Sequence, residues 1–503
     1  MRTEKSIKNS ISALSLQIIT IIFNFIDRTI FIKVLGLNFL GVNGLFGNLI
    51  SLLSLAELGV GTAMVYSMYK PMAEENHKKI RTLMKLYARV YKIIGIVVII
   101  IGCSLLPLLD SLMTNKPDVP YLNLYFIIFV LTSSSSYFFI YKASIFVVSQ
   151  KEYIVNKNNM IFIILKFILQ IIILILTGNY LIYLLVSLFT SIASNVRISY
   201  KADKNYPFIK GKEVEKLSRE ERKSILQNIS ALFLHRIGNV IVNGTDNLII
   251  SKMLGVTMVG MYSNYYLIIG AINSFTNIVY NAITASIGNL NATESKEKNY
   301  MVYKNVLFSN FWLGGFCAIS LIILLNPFIS LWIGKEYTLN ILVVLVIVVN
   351  SYFTIIRKTT LVFRNAMGLF WKDRYKPLLE SVINLVVSIF LTYKFGLIGV
   401  FLGTVVSTLT TSFWIEPWVL YKYGFNMKVR GYFKIFILYV TITIIAGILT
   451  WYLACLITGS SLVVFLYKIV ICIIVPNLFF LICFYKKNEF KYFQSLLHSY
   501  LKK

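Results

Sequence analysis

The chain has 503 residues, of which 57% are hydrophobic and only 14% charged. A soluble protein of this size needs far more polar surface, so the composition excludes a soluble domain and specifies a membrane protein that crosses the bilayer many times. The formal charge of +28 does not point to nucleic acid, because the basic residues are distributed by side of the membrane.

Only Lys116 and Lys335 fall in outer loops, while basic stretches crowd the opposite connections. This is the positive-inside pattern, and it places both termini in the cytosol. The N-terminus, MRTEKSIK before an apolar run, resembles a signal peptide. The run is long, holds Gln17, Asn24 and Asp27 and lacks a small-residue cleavage site, so it is read as an uncleaved first helix. Windows of about 20 apolar residues predict an all-α protein of fourteen spans. They lie near 11–35, 44–69, 93–109, 121–148, 158–177, 180–200, 229–254, 262–290, 306–325, 341–366, 377–396, 397–421, 434–457 and 462–485.

The first two spans hold the stretch FIDRTIFIKVLGLNFLG, from Phe25 to Gly41, and then Glu57. A charge at the centre of a membrane helix costs about 2.5–3.5 kcal/mol, so such groups face a wet or protein-lined interior. A second copy, DNLIISKMLGVTMVG, runs from Asp246 to Gly260, shifted by 219 positions; Asp27, Ile30, Lys33, Leu35, Gly36 and Gly41 recur in it. Upstream, Gln17, Thr20, Asn24 and Asp27 are spaced 3, 4 and 3 apart, one helix face. Arg236, Asn239, Asn243 and Asp246 repeat that stripe. The duplication argues that both faces line one cavity; the competing reading is hydrogen bonding between helices.

Six spans separate the copies, so the halves enter the membrane in the same direction and are parallel repeats. The expected plan is a repeat over 1–200, a charged linker over 201–225, a second repeat over 226–421, two additional helices over 422–485 and a basic tail over 486–503. In the linker, Ser218 and Glu221 have capping-box spacing. In the tail, Phe490, Phe493, Leu497 and Tyr500 recur at helical spacing among lysines; a surface amphipathic helix and a frayed basic tail both fit.

Further polar groups lie in other spans. Span eight carries Asn273, Asn277, Asn281 and Thr284 on one face, span five Lys166, and span ten Arg357, Lys358 and Arg364. Lys142, Lys468, Glu380 and Glu416 lie nearer span ends and are set aside. The deep cations, Arg28, Lys166, Arg236, Arg357, Lys358 and Arg364, outnumber the deep acids Asp27, Glu57 and Asp246. A cavity with that excess attracts an anion, and guanidinium forks suit phosphate oxygens. Asparagine and tyrosine suit sugar hydroxyls, and mutual neutralisation of the charges is the competitor. The acids have two readings, charge pairing or coupling to an ion.

Other features carry less. Gly59 and Gly61 lie in an apolar span and indicate close helix packing rather than a nucleotide loop. His77, His235 and His498 are isolated, so no metal or cofactor is assigned. The five cysteines lack paired spacing and read as small core residues.

The run RTIFIKVLGLNFLGVNGLFGNLISLLSLAELGVGTAMVYSMYKP resembles the start of Wzx-type bacterial polysaccharide flippases of the multidrug/oligosaccharidyl-lipid/polysaccharide exporter superfamily. GTDNLIISKMLGVTMVGMYSNYYLI and FGLIGVFLGTVVSTLTTSFWIEPWVLYKYGF are similar to second-half signatures of that family. The resemblance covers the full length. It implies a V-shaped, alternating-access transporter in the bacterial plasma membrane that is not an enzyme. Its central cationic cavity would take an undecaprenyl-pyrophosphate-linked oligosaccharide repeat unit for surface or capsular polysaccharide assembly. It also implies contact with membrane lipids, work beside a polysaccharide polymerase and glycosyltransferases, and room for ion coupling. In related lipid II flippases the last two spans line a groove for the lipid tail. A cation-coupled multidrug exporter of the same superfamily and a membrane-embedded polymerase are the alternatives; the two extra spans weigh against the first, and the short outer loops 110–120 and 326–340 against the second.

Overall fold

Every regular element in the computed structural model is helical, across the described residues 2–57, 59–114, 118–211, 215, 217–220, 223, 244–369, 372–459 and 461–501. Lipid offers no hydrogen-bond partners, so an apolar chain must bond its backbone within each segment. Nine helices among these residues are long and apolar enough to cross a membrane, and a bent pair supplies a tenth. These ten are the expected spans three to six and nine to fourteen. Spans one, two and eight form the helices described next, and most of span seven lies outside the described residues. The protein is an all-α, multi-pass membrane protein.

The chain packs as two compact units, residues 1–263 and 264–503. The packing boundary falls well past the linker. In the first unit, α1 (Arg2–Leu53) is two helices joined at Gly36, whose φ of 81° breaks the helix. A short 3-10 turn, Glu57 and Gly59 (φ 81°) then interrupt the second span before α2 (Val60–Ala73). Next come α3 (His77–Ser104) and the pair α4 (Leu122–Tyr137) and α5 (Ile140–Val148), bent by 43°. The bend follows a run in which the hydroxyls of Thr132, Ser134, Ser135 and Ser136 bond back to carbonyls three or four residues earlier, which loosens a helix. The helices α6 (Glu152–Thr177) and α7 (Tyr180–Asn205) form a hairpin. Gly178 (φ 59°) ends α6, and the Asn179 side chain accepts from the N–H of Leu181 at 2.8 Å. The linker is tied to the start of α3, where Arg81 donates to the Phe208 carbonyl (2.7 Å) and Lys79 pairs with Glu215 (3.4 Å). Glu221, half of the expected capping box, lies outside the described residues.

After the linker, α8 (Asp246–Leu254) and α9 (Val256–Thr293) flank Gly255, whose φ is 97°. This explains why Gly36 and Gly255 are the same residue in both copies: each breaks a helix in a conformation a Cβ disfavours. The copies also pack on each other within the first unit. A Cβ on Gly41 would overlap the Val256 carbonyl, and one on Gly260 would lie 2.8 Å from the Leu37 carbonyl oxygen and 3.2 Å from the Gly41 nitrogen. Between them, the Thr257 hydroxyl donates to Asn38 Oδ1 at 3.1 Å. Asn38 and Thr257 are themselves 219 positions apart, so equivalent residues of the two copies meet.

The second unit holds the rest of α9, then α10 (Lys296–Trp332), α11 (Ile341–Ala366), α12 (Lys376–Phe395), α13 (Leu397–Thr410), α14 (Ser412–Val419), α15 (Arg430–Cys455), α16 (Leu462–Phe484) and α17 (Asn488–Leu501). The two additional helices, α15 and α16, are packed into its core: Phe311 of α10 stacks on Tyr439 at 4.1 Å and meets Phe480 at 5.3 Å. The tail is helical, and Phe490 and Phe493 of α17 stack on Trp312 and Phe308 of α10. All five cysteines are free. Only Cys472 is a buried core residue; Cys103, Cys455 and Cys483 are exposed, as apolar side chains can be when their solvent is lipid.

Candidate functional site

The acid of the first motif sits in a built site. Asp27 lies on α1, and the Tyr183 hydroxyl of α7 donates to its Oδ2 at 2.8 Å. Its Oδ1 is buried with no hydrogen bond among the described residues. Two cations act on its charge, Lys166 of α6 and its neighbour Arg28. Lys166 rests its ammonium over the Phe167 ring at 4.3 Å, and Arg28 turns to donate to the Ser263 hydroxyl at 2.8 Å. The α6–α7 hairpin fixes this geometry, because Gln170 of α6 donates to the Tyr183 carbonyl at 3.1 Å and to Ser187 at 2.8 Å. So Asp27, Arg28 and Lys166, singled out separately, belong to one cluster of the first unit.

Of the remaining stripe, Thr20 bonds back to the Leu16 carbonyl at 2.7 Å. Gln17 and Asn24 are half-buried and make no side-chain hydrogen bond among the described residues. Glu57 is held apart from Asp27: at the break before α2 it accepts from Tyr91 at 2.5 Å, with Tyr87 and Tyr137 packed around that ring. Asp246 is half-buried in the first turn of α8, and its Oδ1 is buried without a partner among the described residues. Arg236, Asn239 and Asn243 lie outside those residues.

The second unit holds a denser cluster. Arg357 of α11 lays its guanidinium across Glu416 of α14, with Nε to Oε2 at 3.0 Å and Nη2 to Oε1 at 2.7 Å, and reaches Glu380 of α12 at 3.4 Å. Lys376 also bonds Glu416, and Arg364 pairs with Asp373. Ser412 and Thr408 donate to Glu380. Three cations meet three carboxylates, so the cluster is neutral, and Glu416 is wholly buried. Sequence position alone set Glu380 and Glu416 aside; their signal was an acid inside an apolar run, as in WIEPW. Both carboxylates serve Arg357 in this conformation.

Lys358, next to Arg357, differs. It is 9% exposed, and its ammonium bonds the Asn273 carbonyl (3.2 Å) and the Thr276 hydroxyl of α9. No carboxylate among the described residues pairs with it. Asn273 Oδ1 is buried without a hydrogen bond there, Asn277 is exposed, and the side chain of Asn281 lies outside the described residues. In the same unit, α10, α11 and α15 border a half-open apolar groove of about 440 Å³ lined by Ile319, Ile323, Val348, Phe353, Phe436 and Ile448, among others.

Residues 6–287 match the family described as polysaccharide biosynthesis protein. The chain belongs to that family. The match spans more than half the length and takes in both copies of the motif. Among solved structures, the lipid II flippase MurJ in an inward closed conformation aligns with a TM-score of 0.67 at 16% identity, over 95% of this chain and 99% of that one. An inward-facing multidrug resistance transporter of the MATE family and MOP superfamily aligns at 0.62 and 17% identity, over 82% and 97%. The MATE transporter VcmN of Vibrio cholerae aligns at 0.59 and 12%, over 85% and 98%. At these identities the structures show a shared fold, the many-helix fold of these membrane transporters. No curated protein sequence gives a match.

Proposed function

We propose that this polysaccharide biosynthesis protein is a flippase. It carries an undecaprenyl-pyrophosphate-linked oligosaccharide repeat unit across the bacterial plasma membrane by alternating access, with both termini in the cytosol. The observation that carries this reading is the family match over residues 6–287 on a many-helix membrane fold. The polar chemistry supports it. Among the described residues Lys358 is a buried cation held by neutral oxygens, which leaves charge for a phosphate, and Arg28, beside Asp27, donates its hydrogen bond to a hydroxyl. Arg357 and Arg364 would reach a diphosphate only after their carboxylates let go. Lys166 and Asp27 share the first cluster, where Asp27 either balances the cations or takes an ion. The apolar groove beside α15 is suited to the prenyl tail.

The MATE structures favour a second reading, a multidrug exporter. One experiment separates the two. Deleting the gene should leave lipid-linked repeat units on the inner leaflet and strip the surface polysaccharide, with drug tolerance unchanged. Normal surface polysaccharide in a strain without a redundant flippase overturns the proposal.

A further inference from the structure

After α14 the chain makes a wide π-turn, Leu420–Phe425, closed by the Met427 N–H donating to the Tyr421 carbonyl at 2.9 Å. Such turns recur at functional sites. Leu420, Tyr421 and Phe425 point into the core, where Phe425 packs on Tyr303 at 5.2 Å and Tyr421 meets Tyr432 of α15 at 6.0 Å. Lys422 and Tyr423 therefore face outward. Buried aromatics on the turn and on α15 anchor the flanks of an open surface groove of about 360 Å³, lined by Trp418, Lys422, Met427, Lys428, Val429 and Arg430. Half of that lining is cationic and none of it acidic.

None of these three cations has a carboxylate partner among the described residues, whereas Arg357, Arg364 and Lys376 of the same unit are all paired. Lys422 rests over the Trp418 indole at 4.7 Å. The charge pattern assigns this connection to the cytosol, and an exposed tryptophan beside lysines fits the membrane interface.

We propose that this groove binds the phosphate of a membrane lipid in the inner leaflet. Lys422, Lys428 and Arg430 line one groove and supply its charge, while Trp418, Met427 and Val429 offer apolar contact that a soluble anion cannot use. Basic pockets between helices on the cytoplasmic side take anionic head groups for this reason. The phosphate can come from a phospholipid or from a prenyl diphosphate, and the site does not depend on the glycan reading.

The test uses the full-length protein in phosphatidylcholine nanodiscs, with binding read by native mass spectrometry and by the apparent melting midpoint. Phosphatidylglycerol, undecaprenyl diphosphate and inorganic phosphate are added separately. Either lipid should bind and protect. The variant Lys422→Gln/Lys428→Gln/Arg430→Gln should weaken that binding by at least about tenfold, and Lys422→Arg/Lys428→Arg should retain it. Preference for phosphatidylglycerol marks a resident phospholipid; preference for the diphosphate marks a substrate station. Equal lipid binding by wild type and the glutamine variant, or equal protection by inorganic phosphate, overturns the proposal. If the triple variant folds poorly, Lys428→Gln alone must still lower binding for the site to stand. Transport is scored separately, so lost lipid binding with intact glycan transport upholds the site.

Discussion

The contact between the two motif copies can be tested with a graded series of glycine-to-alanine changes. Within a helix, alanine in place of glycine is favourable by about 1 kcal/mol, so an unhindered site should gain stability. Gly47 is such a site, since a Cβ there meets nothing within 4 Å. Gly44 is intermediate, with Val259 Cγ1 at 3.2 Å. At Gly260 the added carbon lies 2.8 Å from the Leu37 carbonyl oxygen, and at Gly41 it lies 2.8 Å from the Val256 carbonyl carbon. These are backbone atoms and cannot swing aside as a side-chain tip does. Relief requires the helices to separate, and overpacking of this kind costs about 1–3 kcal/mol. Gly41→Ala and Gly260→Ala should therefore be destabilised by up to about 2 kcal/mol net, while Gly47→Ala gains about 1 kcal/mol. The assay is the apparent melting midpoint of each purified variant in one detergent, with the yield of folded protein as a second readout. The expected order is Gly47→Ala highest, Gly44→Ala between, and Gly41→Ala and Gly260→Ala lowest. A Gly41→Ala protein as stable as Gly47→Ala would refute the close approach.

Lys358→Gln should keep the wild-type melting midpoint, because glutamine can still donate to Asn273 and Thr276, yet lose most lipid-linked glycan transport in a vesicle assay; full transport would remove this lysine from substrate handling. Arg357→Ala should destabilise by about 3–5 kcal/mol, since it strips the fork from buried Glu416 and leaves Glu380 unpaired; wild-type stability would show that the pairing contributes little. Asp27→Asn separates the two roles of the first cluster: lower stability marks charge balance for Arg28 and Lys166, whereas a stable protein that has lost its response to an imposed ion gradient marks coupling. Stability and gradient dependence both unchanged would exclude both roles.

The architecture was legible because lipid removes ambiguity. Long apolar runs must be helices. The doubled motif was visible because its glycines are identical, but their reasons were not. Gly36 and Gly255 are set by backbone conformation, whereas Gly41 and Gly260 are set by contact between segments far apart in sequence, which no local pattern encodes. The site divides in the same way. The Asp27 stripe followed from helical periodicity on a single helix. Tyr183, which donates to Asp27, comes from another helix 156 positions away, and tyrosine is too common in this chain to mark itself. Glu380 and Glu416 were set aside by distance from the span centre. Burial depends on packing as well as depth, and α12 and α14 carry both acids into the interior beside Arg357.

The charge network of the second unit also constrains how the protein is made. Arg357 and Arg364 enter the membrane on α11 during synthesis, when Glu416 lies 59 residues further along and has not yet emerged. Arg364 meets Asp373 nine residues further on, but until α14 arrives Arg357 lacks Glu416, and exposure of such a cation to lipid costs about 2.5–3.5 kcal/mol on insertion scales. The expected consequence is that α11 is better accommodated in the membrane once Glu416 is available to Arg357. A chain truncated before residue 412 should insert α11 less completely than the full chain, as glycosylation-site mapping of its flanks would report. The pairing of Arg357 with Glu416 would then bear on assembly as well as on the finished fold.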